Sequence, residues 1–175
     1  TGTNGKTSVA NFTRQIWEFL GYQASNIGTM GVEGAVSYSL THTTPDPIKL
    51  HQILFELAKQ RITHACLEAS SHGLDQKRLD GALITSAAFT NLSHDHLDYH
   101  KTLDSYFTSK VGLFTRILKS DGKAVLNIDS DWGEKLGKIL ETHGIEKLTV
   151  GTHSSSDLRI LGQTFNGDGQ ELKFS

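Results

Sequence analysis

The chain opens on a glycine-rich segment, residues 1–8, that constrains both its fold and its chemistry. In this segment Gly5-Lys6-Thr7 leads directly into a stretch whose apolar residues recur at helical spacing. Glycines let the backbone approach a phosphate, and the N–H groups that open the next helix then point at one anion. In such a phosphate-binding loop Lys6 reaches the phosphates and the Thr7 hydroxyl is a ligand for Mg²⁺. The alternative is a glycine-rich turn before an ordinary helix.

Helical and strand patterns alternate along most of the chain, which predicts an α/β fold with a mostly parallel sheet flanked by helices, of the P-loop ATPase type. Within residues 152–175, the stretches Leu158–Phe165 and Glu171–Phe174 instead alternate on either side of Asn166-Gly167-Asp168-Gly169, which predicts a small antiparallel hairpin. The predicted helices span 9–20, 47–58, 102–118 and 132–142, and the predicted strands span 63–69, 83–90, 124–128 and 148–150, with short strands within 24–40.

Composition excludes several classes of protein. The 17 Lys and Arg residues nearly balance 19 Asp and Glu residues, and no long basic run occurs, so nucleic acid and anionic membrane surfaces are not the expected partners. No apolar run is long enough to span a bilayer, and the lone Cys66 fits a reducing, cytoplasmic setting. The length suits one domain. Because the chain does not begin with Met and no strand precedes its phosphate loop, we expect a piece of a longer protein.

Glu68 lies at the end of a predicted apolar strand, and Ser70-Ser71-His72-Gly73 follows it. A carboxylate in such a place is costly unless it meets a cation. The Mg²⁺ of a phosphate loop commonly takes a further ligand from a strand end, so we predict that Glu68 serves the same ion as Thr7. The alternatives are a solvated edge carboxylate or one that accepts backbone N–H bonds.

The segment from His94 to His100 is dense in imidazole and carboxylate groups. Both groups are metal ligands, although a polar loop with capping residues has the same composition. A zinc hydrolase is a further alternative, since His-x-His-x-Asp-His is a dinuclear pattern. Here Tyr99 stands where that pattern needs its last His, and a zinc hydrolase leaves the phosphate loop unexplained.

Lys110 interrupts the apolar face of its predicted helix, because it lies three residues after Phe107 and four before Phe114. A buried ammonium is expensive, so its pKa falls, and a neutral amine can combine with CO₂ to give a metal-binding carbamate. Periodicity alone favours the alternative, in which the stem lies on the core and the amine extends to water.

Taken together, five motifs in order resemble the Mur ligases, and among them the MurE type, which joins an amino acid to a UDP-N-acetylmuramoyl dipeptide. The resemblance runs from residue 1 to about residue 133 and continues more loosely through the hairpin. The motifs are Gly2-Thr3-Asn4-Gly5-Lys6-Thr7, Thr43-Thr44-Pro45-Asp46-Pro47, Glu68-Ala69-Ser70-Ser71-His72-Gly73-Leu74, Gln76 with Arg78, and Asn91-Leu92-Ser93 running into Asp95-His96-Leu97-Asp98-Tyr99-His100.

This resemblance implies roles for individual residues. Lys6, Lys110 and His96 are the implied catalytic residues, with Thr7 and Glu68 at one Mg²⁺ and His96 and a carbamylated Lys110 at a second. The implied ATP-binding residues are Gly2, Thr3, Asn4, Gly5, Lys6, Thr7, Ser8, Asn91 and Asn127. The implied contacts to the muramoyl dipeptide are Thr43, Thr44, Ser70, Gln76 and Arg78.

The resemblance also implies a central ATPase domain over residues 1–175, within a bacterial cytoplasmic protein that carries separate UDP-binding and C-terminal domains. The implied reaction is ATP-dependent amide bond formation through an acyl phosphate, with UDP-MurNAc-L-Ala-D-Glu and either L-lysine or meso-diaminopimelate as partners. By itself the fragment is expected to be inactive. Two alternatives stay open: another ATP-dependent ligase, such as the D-glutamate-adding Mur enzyme or folylpolyglutamate synthase, and a nucleotide-binding relative without catalysis.

Overall fold

Strands and helices alternate along the chain, as the sequence predicts. The computed structural model describes residues 1–167 and 169–175, so Asp168 of the predicted hairpin turn lies outside the described residues. The strands are β1 (Ala24–Gly28), β2 (Gly31–Gly34), β3 (His64–Leu67), β4 (Ile84–Phe89), β5 (Leu118–Asn127), β6 (Lys147–Gly151), β7 (Leu158–Asn166) and β8 (Gly169–Phe174). The helices are α1 (Lys6–Phe19), α2 (Pro47–Lys59), α3 (Ser71–Asp75), α4 (Leu97–His100), α5 (Leu103–Gly112) and α6 (Asp131–Thr142).

The strands form two sheets. The smaller has the order β2-β1-β3, and the larger has the order β4-β5-β6-β7-β8. Within them β1 pairs in parallel with β3, β4 through β7 are parallel, and β1–β2 and β7–β8 are antiparallel. The prediction of a mostly parallel sheet with a C-terminal hairpin is therefore confirmed. The parallel register brings the carboxyl ends of neighbouring strands to one edge, which is where α/β folds bind ligands.

Turn and capping residues explain where the helices begin. Asp46 caps α2, its side chain accepting from the Lys49 N–H at 3.0 Å, and Pro47 occupies the first helical position. Thr102 and Ser130 cap α5 and α6 in the same way. By contrast, α1 begins at Lys6 after Gly5 in a left-handed conformation, and no side chain caps it, which leaves the first N–H groups of that helix open to a ligand.

Three local features differ from the sequence prediction. The helix predicted over 102–118 ends at Gly112 and continues as one π-helical turn over Leu113–Ile117. Leu118 already belongs to β5, since it pairs with Ile84 of β4, so that strand begins earlier than predicted. The segment rich in His and Asp is not only a loop, because α4 forms within it.

One continuous apolar core lies between helices and strands, with Ile27, Leu50, Leu74, Leu126 and Leu136 among its buried members. Helix α1 contributes little to this core. Its apolar stripe, formed by Phe12, Ile16 and Phe19, is exposed, and Phe19 is 91% accessible. Helical spacing thus predicted the helix correctly without specifying what covers its apolar side. Among the described residues, no helix combines the length and apolar character needed to cross a bilayer.

Candidate active site

The predicted phosphate loop, residues 1–8, borders a cavity of about 460 Å³ at the carboxyl ends of β1 and β3. The walls are strongly polar, and they bring together segments that are far apart in the sequence. The lining residues are Thr3, Asn4, Gly5, Lys6, Thr7, Thr29, His42, Thr43, Thr44, Glu68, Ser70, Ser71, His72, Arg78, His96, Tyr106 and Lys110.

The loop itself is held against the end of β4. The Thr3 N–H donates to the Asn91 carbonyl and the Asn4 N–H donates to the Asn91 side chain, both at 3.0 Å. Gly2 has a φ of 150°, and a Cβ there would lie 1.9 Å from the Thr90 hydroxyl oxygen, so only glycine fits. This anchoring fixes the loop while its open N–H groups, at the start of α1, remain directed at a potential anion.

Lys6 folds back over the loop from which it projects. Its Nζ donates to the carbonyls of Gly2 at 3.0 Å and Thr3 at 2.9 Å. Burial lowers the pKa of Lys6, while the carboxylates of Glu68 and Asp95 act in the opposite direction. The side chain therefore already lies over the loop, and its amine is bonded to two carbonyl oxygens.

Glu68 follows β3 and is 2% exposed, with its carboxylate held by two different elements. Oε2 accepts from the Thr7 hydroxyl at 2.9 Å, and Oε1 accepts from the Thr29 N–H at 2.9 Å. Gly28 makes this position possible, because a Cβ there would lie 1.9 Å from Glu68 Oε1. The structure thus brings Glu68 beside Thr7, as a shared ion requires, while the shared Mg²⁺ itself stays a prediction. The alternative of a carboxylate that accepts a backbone N–H is present in the structure.

Lys110 is buried, with 1% of its surface exposed, and does not extend to water. Its Nζ donates to the Gly2 carbonyl at 3.1 Å and lies 4.2 Å from the centre of the Tyr106 ring. Burial, together with the nearby Lys6 ammonium, lowers the pKa of Lys110 to about 7, while the Asp95 carboxylate acts in the opposite direction. Periodicity therefore placed the residue correctly on the buried face, and the alternative that it favoured, a solvated amine, is wrong.

Tyr106 connects several parts of the site, although its place on the apolar face of α5 marks it only as a core residue. It is 1% exposed, and its hydroxyl lies 3.2 Å from the Thr3 hydroxyl. The Thr3 oxygen also accepts from the Ser93 N–H at 3.0 Å. The Thr3 and Tyr106 hydroxyls thus join the phosphate loop, the segment after β4 and α5. The face of the Tyr106 ring also packs against the Lys110 amine. Its place three residues after Leu103 on the apolar face gave no sign of the hydroxyl contact.

Three histidines gather beside the cavity. The His72 ring lies 5.0 Å from that of His96 and 5.7 Å from that of His100, centre to centre. Burial lowers the pKa of both His72 and His100, and neighbouring imidazoles contribute in the same direction. His100 is 6% exposed and stacks on Tyr106 at 5.1 Å, so it supports α5 rather than facing the cavity. Among residues 1–167 and 169–175, no three His, Cys, Asp or Glu side chains form a ready metal cluster.

The opposite wall combines hydroxyls with one guanidinium. Thr44 is 1% exposed, and its hydroxyl lies 2.7 Å from the Glu68 carbonyl and 2.9 Å from the Ser70 hydroxyl. Arg78 donates to the Thr44 carbonyl at 2.7 Å and to the Gln76 side chain at 2.6 Å. This wall offers Arg78 and the less engaged Thr43 hydroxyl to an anionic group, while Thr44 is committed to holding the wall together.

A comparison with known families decides what kind of domain this is. The profile described as the Mur ligase middle domain matches residues 1–175. The chain belongs to that family. The Mur ligase middle domain described here is 52% identical over 153 residues to the UDP-N-acetylmuramoyl-L-alanyl-D-glutamate--2,6-diaminopimelate ligase of Chelativorans sp. (strain BNC1). It is 47% identical over 175 residues to the enzyme of the same name from Rhizobium meliloti (strain 1021).

Solved structures agree with this assignment. A UDP-N-acetylmuramoyl-L-alanyl-D-glutamate--2,6-diaminopimelate ligase superposes with a TM-score of 0.88 at 34% identity over 99% of this chain. A mutant of the L. casei protein FPGS superposes with a TM-score of 0.62 at 14% identity, a likeness of fold alone. The sequence matches to the Chelativorans and Rhizobium enzymes cover 86% and 99% of this chain but only 32% and 33% of those enzymes, so the chain spans about a third of their length.

Most residues that the resemblance singled out lie around the cavity of this Mur ligase middle domain, and five do not line it. Ser8 is exposed in the first turn of α1. Gly2 packs closely against Thr90, and the Asn91 carbonyl accepts from the Thr3 N–H, so both residues hold the phosphate loop in place without facing the cavity. Gln76 accepts from Arg78 and donates to the Tyr99 hydroxyl at 3.3 Å, so it supports the cavity wall indirectly. Asn127 lies at the end of β5, where its side chain accepts from the Asp129 N–H at 2.9 Å. Thr29 lines the cavity and escaped the sequence analysis.

Proposed function

We propose that this domain is the ATP-binding centre of a ligase that adds meso-diaminopimelate to UDP-MurNAc-L-Ala-D-Glu in peptidoglycan synthesis. The observation that supports this best is the meeting, in one cavity, of a phosphate loop, a carboxylate beside the Thr7 hydroxyl, and an Arg78 wall suited to a second anion. The relatives named above carry that activity in their names. Because the chain spans about a third of them, the whole protein's activity is inferred here.

The nucleotide side of the site follows from the loop. In this proposal Lys6 exchanges the Gly2 and Thr3 carbonyls for phosphate oxygens of ATP, and the first N–H groups of α1 donate to the same phosphates. Asn127 contacts the adenine. The residues proposed to bind ATP are Gly2, Thr3, Asn4, Gly5, Lys6, Thr7, Ser8, Asn91 and Asn127.

The residues around Glu68 fit Mg²⁺. The Thr7 hydroxyl and the Glu68 carboxylate are hard oxygen ligands whose atoms lie 2.9 Å apart, and Mg²⁺ commonly takes one or two such protein ligands with phosphates and waters completing its shell. When bound, the ion neutralises charge on the phosphates as the phosphoryl group transfers. We propose that Thr7 and Glu68 hold this ion.

We also propose that Lys110 is carbamylated. With a pKa of about 7 its amine is substantially neutral near neutral pH, so its nitrogen can attack CO₂, lose a proton and become a carbamate. The resulting carboxylate and His96 are the proposed ligands of a second Mg²⁺. Lys110→Ala should lose turnover and regain part of it with added acetate, whereas Lys110→Ala with wild-type turnover would remove the residue from the site.

The acid substrate belongs on the opposite wall. Thr43, Thr44, Ser70, Gln76 and Arg78 are the proposed contacts to the muramoyl dipeptide, with Gln76 acting through Arg78 and Thr44 acting by fixing Ser70. The reacting groups are both anions, a carboxylate and a triphosphate, so the protein must offset their repulsion. Lys6 and the N-terminus of α1 do so on one side and Arg78 on the other.

Two steps complete the proposed reaction. A carboxylate oxygen of the dipeptide forms a bond to the γ-phosphorus of ATP and the bond to ADP breaks, which gives an acyl phosphate. The diaminopimelate amine then attacks the acyl carbon, phosphate leaves, and the nitrogen gives up a proton as the amide forms. By holding the carboxylate and the γ-phosphate together, the cavity converts an encounter of two anions into a positioned reaction.

The test is phosphate release by the complete protein with Mg²⁺·ATP and UDP-MurNAc-L-Ala-D-Glu, with meso-diaminopimelate and L-lysine in separate assays. We expect release that requires the dipeptide nucleotide and diaminopimelate. Release with lysine alone would change the proposed amino acid. ATP binding without release on either amino acid would favour a different ligase substrate or a relative without catalysis. Stoichiometric zinc with no ATP binding would instead favour a metallohydrolase.

A further inference from the structure

Thr29 occupies the corner where β1 ends, between the carboxylate of Glu68 and the hydroxyl of Thr43. Its N–H donates to Glu68 Oε1 at 2.9 Å. Its hydroxyl oxygen lies 3.4 Å from Glu68 Oε2 and 3.0 Å from the Thr43 hydroxyl oxygen. The two neighbours face different parts of the cavity, since Glu68 pairs with Thr7 of the phosphate loop and Thr43 belongs to the opposite wall.

A hydroxyl carries a single proton, so the Thr29 hydroxyl can donate to only one of these neighbours at a time. Glu68 offers an ionised acceptor at the longer distance, and Thr43 offers a neutral acceptor at the shorter one. Charge strengthens the first hydrogen bond and distance weakens it, so the two neighbours compete for the Thr29 proton. A cation bound to the Glu68 carboxylate therefore turns the Thr29 proton from Glu68 toward Thr43.

The direction of that proton sets the polarity of Thr43. While Thr29 donates to Glu68, the Thr43 proton is drawn toward the Thr29 oxygen, and Thr43 presents only lone pairs to the cavity. If a cation takes the Glu68 lone pairs, Thr29 donates to Thr43 instead, and the Thr43 proton is free to point at a substrate oxygen. The neighbouring Thr44 hydroxyl has no such freedom because it is buried against Glu68 and Ser70.

We propose that Thr29 is a positioning residue that couples the two halves of the site: a cation at Glu68 turns the Thr43 hydroxyl into a donor for the acid substrate. The inference rests on the proposed function, because it takes Mg²⁺·nucleotide at Glu68 and a carboxylate-bearing substrate at Thr43. The coupling is a free energy shared between two binding sites, so it is measurable without turnover.

Calorimetry on the complete protein tests the coupling. The affinity for UDP-MurNAc-L-Ala-D-Glu is measured alone, with the β,γ-imido analogue of ATP plus Mg²⁺, and with that analogue plus a chelator. In the wild type we expect Mg²⁺·analogue to raise the affinity and the chelated analogue to raise it less. In Thr29→Val, which keeps the N–H and the shape but lacks the hydroxyl, the Mg²⁺-dependent enhancement should fall by about tenfold, the loss expected for one hydrogen bond to a charged group. Thr29→Ser should retain it.

Two further variants guard against a merely structural effect. Thr43→Val should lose the same enhancement, and the double variant Thr29→Val/Thr43→Val should lose no more than either single variant, because both interrupt one chain of hydrogen bonds. Full enhancement in Thr29→Val, or loss of it in Thr29→Ser, would overturn the coupling and leave the proposed function standing. A wild-type protein that binds neither ligand would overturn the proposed function, and the coupling with it.

Discussion

Gly28 gives the sharpest test of how the fold positions Glu68. A Cβ at Gly28 would lie 1.9 Å from Glu68 Oε1, 2.6 Å from its Cδ and 2.8 Å from its Cγ, so the whole end of that side chain must move. Gly28 has no positive φ, so alanine meets no backbone strain, and the effect of Gly28→Ala is purely steric. The displaced carboxylate loses its bonds to the Thr7 hydroxyl and the Thr29 N–H.

The expected size of the effect follows from those contacts. Hydrogen bonds to a charged group contribute about 1.5–3 kcal/mol each, but a carboxylate pushed into the cavity regains much of this from water. We therefore expect a loss of about 1–3 kcal/mol, typical of overpacking at a buried position. At about 2–4 °C per kcal/mol for a domain of this size, the melting temperature should fall by several degrees. The larger consequence is functional, because Glu68 no longer lies beside Thr7.

Thermal denaturation with and without Mg²⁺·ATP measures both consequences. Gly28→Ala should melt earlier and lose most of the stabilisation that the wild type gains from Mg²⁺·ATP, because a ligand stabilises only the protein that binds it. Gly162→Ala is the matched control, since a Cβ there meets nothing within 4 Å. If Gly28→Ala melts at the wild-type temperature and keeps its full Mg²⁺·ATP shift, the steric argument about Glu68 is refuted.

Four other variants examine the remaining parts of the site. Lys6→Ala should abolish ATP turnover while leaving the melting temperature of the free protein nearly unchanged, and retained turnover would contradict its role at the phosphates. Lys110 binds its proton more tightly in the unfolded chain than in the folded protein, so the free energy of unfolding should rise between pH 7 and pH 10.5. In CO₂-free buffer this rise should exceed that of Lys110→Met by up to about 1.4 kcal/mol per pH unit. Identical pH profiles for the two proteins would count against a buried amine. Thr44→Val should lower the free energy of unfolding by about 1–3 kcal/mol because its buried partners lose their bonds, whereas Thr43→Val should cost less than that; equal losses would remove the distinction drawn between them.

Some of the site was predictable because its physical signals are local. A glycine-rich segment before a helical pattern indicates a phosphate loop wherever the rest of the chain goes. Lys110 could be assigned to the buried face of α5 because helical spacing is independent of tertiary contacts. Glu68 followed from its place at the end of an apolar strand. In each case the residue type and a few neighbours carried the information.

Other features depend on contacts between distant parts of the chain. Thr29 lies among glycines, serines and threonines that read as short strands and turns, and only the parallel pairing of β1 with β3 brings it beside Glu68. The Tyr106 hydroxyl gave no signal because its ring satisfied the apolar pattern of α5. The exposed stripe on α1 shows the same limit in reverse, since periodicity identifies an apolar face but not what covers it.

The central claim is that this site joins a substrate carboxylate to the γ-phosphate of ATP, and an isotope transfer tests it most directly. UDP-MurNAc-L-Ala-D-Glu carrying heavy oxygen in the reacting carboxylate is turned over by the complete protein with Mg²⁺·ATP and meso-diaminopimelate, and the released phosphate is analysed by mass spectrometry. The proposed route leaves a labelled oxygen in the phosphate, because the oxygen that attacks the γ-phosphorus departs with it. Release of unlabelled phosphate in step with amide formation would contradict the acyl phosphate intermediate. It would also contradict the proposal that the cavity joins the substrate carboxylate to the γ-phosphate of ATP.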